Sequence, residues 1–232
     1  MLSVVMPCFN EAATVEAQLR RVLAANTQGM ALEVIIVDDG SSDGSPEIVE
    51  ELARQDGRLR LIRHDHNRGK GAALRSAIRA VTGEIVLIQD ADLEYDPADY
   101  PKLLNPITKG HADVVYGSRF RGGDEARVLY FWHSVANRAL TLVSNMCTDL
   151  NLTDMETGFK VFRRGVLDRI RLKEDRFGFE PEVTAKLARL RPRPRIFEVG
   201  VSYYGRTYAE GKKIGLRDAF KAFQCILRYS IW

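Results

Sequence analysis

Asp90 and Asp92, separated by a single alanine, close the apolar run EIVLIQ. Where a buried strand frays, two such carboxylates can reach one hard divalent cation; Mg2+ or Mn2+ favours these oxygens and shares them with substrate phosphates. Glu94, two residues on, offers a third source of oxygen. Asp-x-Asp is also common on solvated loops, so its place at a strand end gives the metal reading its weight. A second acidic pair ends another apolar run, in Val37-Asp38-Asp39-Gly40-Ser41. Its carboxylates can accept a base N–H or ribose hydroxyls, or merely close the strand in an Asx-type turn. Pro7-Cys8-Phe9-Asn10-Glu11 ends the first apolar run, where Asn10 suits a helix cap. Asn67-Arg68-Gly69-Lys70-Gly71 resembles a phosphate loop without the Walker spacing, and its glycines also suit a tight strand-to-helix turn. Arg119, Arg127, Arg206, Lys212 and Lys213 fall in expected loops. Singly they decorate a surface; together they can neutralise a diphosphate and a second phosphate.

The elements that carry these residues alternate. LSVVMP, EVIIVDDGS, RLRLIRH, EIVLIQDAD and ADVVYGSRF read as strands. Helical spacing is predicted over 11–25, 46–55 and 71–81 between them. Continuous apolar strands alternating with helices imply parallel βαβ units. In such sheets ligands sit beyond the carboxyl ends of the strands. Asn10-Glu11, Asp38-Asp39, Asp90-Asp92 and Ser118-Arg119 all fall at such ends, which points to one active edge. The second half reads as the aromatic-rich helix VLYFWHSVANRALTLVSNMC, a loop entering a strand in DMETGFKVFRR, the helix GFEPEVTAKLARL, the strand RIFEVGVSYY, the basic loop GRTYAEGKKIG and an amphipathic tail helix.

With 232 residues, 45% hydrophobic and 28% charged, the chain can bury a large α/β core. A net charge of +3 is too small to argue for nucleic acid and is compatible with an anionic substrate, a membrane surface or an ordinary solvated exterior. Cys8, Cys147 and Cys225 have neither disulfide nor zinc spacing and read as reduced, buried thiols. The N-terminal run lacks a basic leader, and no stretch approaches the ~20 apolar residues of a membrane span. A cytoplasmic location follows as the expectation.

PCFNE, VDDGS, NRGKG, DAD and GSR, in that order and each at its strand end, resemble inverting family 2 glycosyltransferases. ETGFKVFRR, FGFEPEV and YYGRTYAEGKK are similar to the dolichol-phosphate mannose synthase branch and its bacterial polyprenyl-phosphate relatives. The resemblance implies an α/β fold of GT-A (Rossmann-like) type, a mostly parallel sheet with flanking helices. It implies a catalytic domain over 1–215, with 216–232 an amphipathic helix packed on it or lying at the membrane surface. It implies transfer of one hexose, mannose or glucose, from GDP-mannose or UDP-glucose to a polyprenyl or dolichyl phosphate, with inversion and with Mg2+ or Mn2+. The partners would be that donor, that acceptor and the cytoplasmic face of a membrane, peripherally, with no nucleic acid. By motif, Pro7, Phe9, Glu11, Val37 and Asp39 would hold the nucleoside. Asp90, Ala91 and Asp92 would meet the diphosphate, with Asp90, Asp92 and Glu94 the metal set. Arg119, and less directly Arg127, would bind the acceptor phosphate; Arg206 and Lys212 would clamp the donor. Asp90, Asp92 and Arg119 form the expected catalytic set. The sequence departs from the family in Phe9, where a tyrosine is usual, and in Glu94, where a glutamine is frequent. It lacks the QxxRW motif of processive synthases, which favours single-sugar transfer, and the C-terminal spans that some members carry. A family 2 enzyme acting on a glycan or small molecule, and a non-catalytic nucleotide-sugar module, are the alternatives.

Overall fold

The computed structural model describes residues 1–122, 127, 128, 130–207 and the helix 216–231, excepting the side chains of 216, 217 and 231. Its first half follows the βα alternation: β1 (Leu2–Cys8), α1 (Val15–Ala24), β2 (Leu32–Asp38), α2 (Ser45–Gln55), β3 (Leu59–Arg63), α3 (Lys70–Ala80) and β4 (Ile85–Ile88). β1 and β4 read as continuous apolar runs because they are covered on both faces. α1 buries Val15, Leu19 and Val22, one helix face. α3 lays Ala72, Ala73 and Ala77 on the sheet, and such small side chains let it approach β1 and β2 closely.

A 3-10 turn (Pro97–Asp99) then leads into α4 (Tyr100–Thr108), which the sequence reading left out. Pro101 sits in its first turn, where no backbone donor is needed. Tyr100, Leu103, Leu104 and Ile107 form its buried stripe. β5 (Val114–Ser118), α5 (Phe131–Thr148), β6 (Lys160–Arg163), α6 (Arg164–Leu167), α7 (Phe179–Arg189), β7 (Ile196–Gly200) and α8 (Leu216–Ile231) complete the described elements.

The sheet order is β3-β2-β1-β4-β6-β5-β7. The β1–β2, β2–β3, β1–β4 and β5–β7 pairs are parallel. β6 lies antiparallel between β4 and β5, so the sheet is mostly but not wholly parallel. The chain runs from β1 outward to β3, then restarts at β4 on the other side of β1. That reversal opens a crevice beyond the carboxyl ends of β1 and β4, where a doubly wound sheet binds its ligand. α8 packs on α7 and α5. Its Ile226 is 1% exposed, in the core.

Candidate active site

Beyond those strand ends lies a cavity of about 470 Å3. Pro7, Cys8, Phe9 and Glu11 reach it from β1, Asp39 from β2, and Asp90, Ala91, Asp92 and Glu94 from β4. Arg119 and Arg206 line it from the second half. Val37 does not: it is fully buried among the core side chains one residue before the strand turns outward, so its side chain cannot touch a nucleoside. Arg127 is exposed and outside the cavity lining; it ties the 203–205 segment down by donating from its backbone N–H to the Tyr203 carbonyl at 2.8 Å and from Nη1 to that of Gly205 at 3.2 Å. Lys212 and Lys213 fall outside the described residues.

The two acidic turns play different parts. Asp38 Oδ2 accepts the Ser41 N–H at 3.2 Å, the Asx-type contact that closes β2. Asp39, 2% exposed, accepts the N–H groups of Arg68 at 3.0 Å and Gly69 at 2.7 Å, and its Oδ1 lies 2.7 Å from His64 Nδ1. It therefore fixes the Asn67–Gly71 turn. Asn10 is no helix cap: it sits at φ 51°, and its Oδ1 accepts the Ser42 N–H at 2.9 Å, which joins the β1 and β2 ends.

The Asn67–Gly71 turn delivers a charge as well as a bend. Lys70 opens α3 with its ammonium 2.9 Å from Asp90 Oδ1 and 3.3 Å from Glu180 Oε1, in the first turn of α7. Burial works against the Lys70 charge, but Asp90 and Glu180 outweigh it and hold Lys70 above the ordinary lysine range. Glu180 was not singled out in the sequence. Its signal is an acid inside the aromatic segment FGFEPEV, and it is 4% exposed.

Arg206 stands among three carboxylates. Its Nη1 is 3.1 Å from Glu11 Oε2, its Nη2 2.8 Å from Asp92 Oδ2 and its Nε 3.5 Å from Glu94 Oε1. Glu94 also accepts the Tyr203 hydroxyl at 3.0 Å and the Arg206 N–H at 2.8 Å, which draws the segment after β7 over the site. Burial pushes the Asp92 carboxyl up to about 7, with further pressure from Asp90 and Glu94, and Arg206 opposes the shift. An all-oxygen set around one cation fits a hard divalent ion. Among the described residues, no three His, Cys, Asp or Glu side chains form a ready metal cage, because the carboxylates splay around the guanidinium.

Arg119 is held differently. Asp154, fully buried, takes its Nε and Nη2 at 2.7 Å each, a bidentate pair, and the guanidinium lies 5.2 Å from the Tyr203 ring. Burial disfavours the Arg119 charge, and Asp154 more than restores it. Beside Asp154, Glu156 lines the cavity and burial pushes its carboxyl up to about 8. Neither acid was singled out in the sequence, where both sit in a loop with no periodic pattern.

Residues 3–171 match the model of the family described as glycosyl transferase family 2. The chain belongs to that family. It is 30% identical over 214 residues to the undecaprenyl-phosphate 4-deoxy-4-formamido-L-arabinose transferase of Aeromonas hydrophila, covering 91% of this chain and 62% of that protein. It is 27% identical over 228 residues to the dodecaprenyl-phosphate galacturonate synthase of Rhizobium johnstonii, covering 97% of this chain and 65% of that protein. The chain thus spans less than two thirds of these relatives' length. The crystal structure of glucosyl-3-phosphoglycerate synthase from Mycobacterium tuberculosis, with Mn2+, UDP and glucosyl-3-phosphoglycerate, superposes at a TM-score of 0.76 and 22% identity, covering 99% of this chain and 80% of that one. The fold is the expected GT-A type.

Proposed function

We propose that this family 2 chain moves one hexose, mannose or glucose, from GDP-mannose or UDP-glucose to a polyprenyl phosphate at a membrane surface, with inversion. The observation that carries the reading is the convergence of Glu11, Asp92 and Glu94 on one cation, beside the Lys70–Asp90 pair, at the switch point of the sheet. Opposite charges so arranged support a site for a diphosphate and its counter-ion. The polyprenyl-phosphate acceptors in the names of the relatives support the acceptor class.

Residues 1–215 would form the catalytic domain, with 216–232 a helix lying on it. Asp92 and Glu94, with Asp90, would hold Mg2+ or Mn2+; that ion, when bound, would neutralise charge on the leaving diphosphate. Phe9 and Asp39 stand at the nucleoside end. Arg206 can turn from the carboxylates to the diphosphate, and Lys212 would join it. Arg119, preset by Asp154, would orient the acceptor phosphate. That phosphate is ionised at neutral pH, so its oxygen attacks the anomeric carbon without a strong general base. The new C–O bond forms as the bond to the diphosphate breaks on the opposite face, so an α-linked donor gives a β-linked product. Catalysis is then positioning plus electrostatic stabilisation.

The test supplies radiolabelled GDP-mannose or UDP-glucose, a polyprenyl phosphate and Mn2+. Label should enter an organic-extractable product, and EDTA should prevent it. Label found only in water-soluble product would replace the lipid acceptor with a glycan or small molecule. No transfer with either donor would sink the reading.

A further inference from the structure

We infer that the floor of the cavity, where among the described residues Glu156 and Glu180 each present an unpartnered carboxyl oxygen, recognises the hydroxyls of a neutral pyranose and discriminates against donors whose sugar carries a carboxylate. The inference rests on the transfer reading proposed above.

Among the described residues, Glu156 Oε1 and Glu180 Oε2 are buried and have no hydrogen-bond partner. Buried acceptors without donors are costly, so their concentration at one place asks for a ligand that supplies O–H groups. Glu180 is 4% exposed and lines the cavity with Glu156, Asp90 and Lys70. Its other oxygen already faces Lys70 at 3.3 Å, and Lys70 faces Asp90 at 2.9 Å. Glu180 is thus linked to the Asp90–Asp92 end through Lys70, and Glu156 lines the same cavity beside it. A group attached to a diphosphate held at that end reaches them. Vicinal hydroxyls match the need: each can bond a glutamate oxygen, and the one at Glu180 can also accept from the Lys70 ammonium. Water can serve these oxygens until such a ligand displaces it.

Charge supplies the discrimination. The floor faces the cavity with Asp90 and Glu180 against one shared ammonium, and Glu156 adds no positive charge in either protonation state. Lys160, 1% exposed and donating to the Thr157 carbonyl, stands behind the floor and outside the cavity lining. Arg119 is committed to Asp154, and Arg176, which also lines the cavity, is exposed, so that its charge is screened by solvent. A uronate carboxylate would therefore meet like charge in a poorly solvated place.

Calorimetric titration in Mn2+ tests this with UDP, UDP-glucose and UDP-glucuronate, and with GDP, GDP-mannose and GDP-mannuronate. For whichever base binds, the neutral donor should bind at least about tenfold more tightly than its uronate. Glu180→Gln should narrow that ratio to roughly threefold or less, without a loss of affinity for the nucleoside diphosphate alone. Glu156→Gln should weaken the neutral donor and leave the nucleoside diphosphate unchanged; it keeps the test sharp if Glu180→Gln fails to fold. Equal affinity of wild type for neutral and uronate donors overturns the inference while leaving the transfer reading standing. So does a loss that falls equally on diphosphate and donor. Failure to bind any nucleoside diphosphate removes the transfer reading and this inference with it.

Discussion

At the scale of single residues, the site holds its own counter-ion. Glu11, Asp92 and Glu94 are largely removed from water and would repel one another; the Arg206 guanidinium relieves them. A divalent ion drawn to the same oxygens must displace that guanidinium, so protein cation and metal compete until a diphosphate gives Arg206 a new partner. Arg206→Ala should therefore have effects of opposite sign. Affinity for Mn2+ alone should rise several-fold, on the order of 1 kcal/mol, a small figure because Arg206 keeps 20% of its side chain exposed and its pairs are partly screened. Affinity for the nucleotide-sugar should fall about tenfold, the scale of one charge-assisted contact. Calorimetry with Mn2+ alone and then with donor separates the two, and a loss of Mn2+ affinity in the variant would show that Arg206 helps rather than opposes the metal. The sequence made Asp92, Glu94 and Arg206 legible one by one, through strand ends and motif order. Their pairing was hidden, because residues 94 and 206 meet only once β7 has returned beside β5.

At the scale of elements, α5 and α8 leave apolar surface uncovered. Phe131 is 70% and Trp132 75% exposed at the start of α5, and Leu142 and Met146 remain open further along. On α8, Ala222, Cys225 and Ile226 face the core while Phe220 is 63% exposed, with Lys221 and Arg228 also exposed. An apolar face bordered by cations suits the headgroup boundary of a bilayer. Among the described residues no helix is long and apolar enough to cross one. Phe131→Ser with Trp132→Ser should leave the melting temperature within about 2 °C of wild type, since exposed side chains contribute little to stability. The same pair should lose co-sedimentation with anionic liposomes and slow transfer to a long-chain polyprenyl phosphate more than to a short, water-soluble one. A large drop in melting temperature would place these rings in packing and withdraw them from the membrane. Periodicity gave α8 its amphipathic character. It could not divide the apolar residues between core and exterior, because that depends on where α5 and α7 cover the helix.

At the scale of the whole molecule, the second half completes a site that the first half begins. The first-half contribution was legible because each βα unit signals its own strand end. The insertion of β6 antiparallel between β4 and β5 was not, since a four-residue strand such as KVFR carries no sign of its direction. Nor was the docking of α3 on the 174–176 segment, which sets Lys70 against Glu180. That docking needs a bare backbone: Ala72 N–H donates to the Asp175 carbonyl at 3.0 Å, and a Cβ on Gly71 would collide with the Glu174 carbonyl oxygen and meet the Arg176 oxygen at 3.1 Å. The obstacles are backbone atoms, so no rotamer change relieves them. Gly71→Ala should force the two segments apart at a cost of about 1–3 kcal/mol, or roughly 3–10 °C of melting temperature for a chain of this size. The displacement passes directly to Lys70 and, through the start of α7, to Glu180. Donor affinity should therefore fall even at temperatures where the variant is fully folded. Gly57→Ala, at a glycine with nothing within 4 Å of the added carbon, is the matched control and should change neither quantity. Loss of stability with donor affinity intact would mean that the α3 contact holds the halves together without setting the geometry of the site.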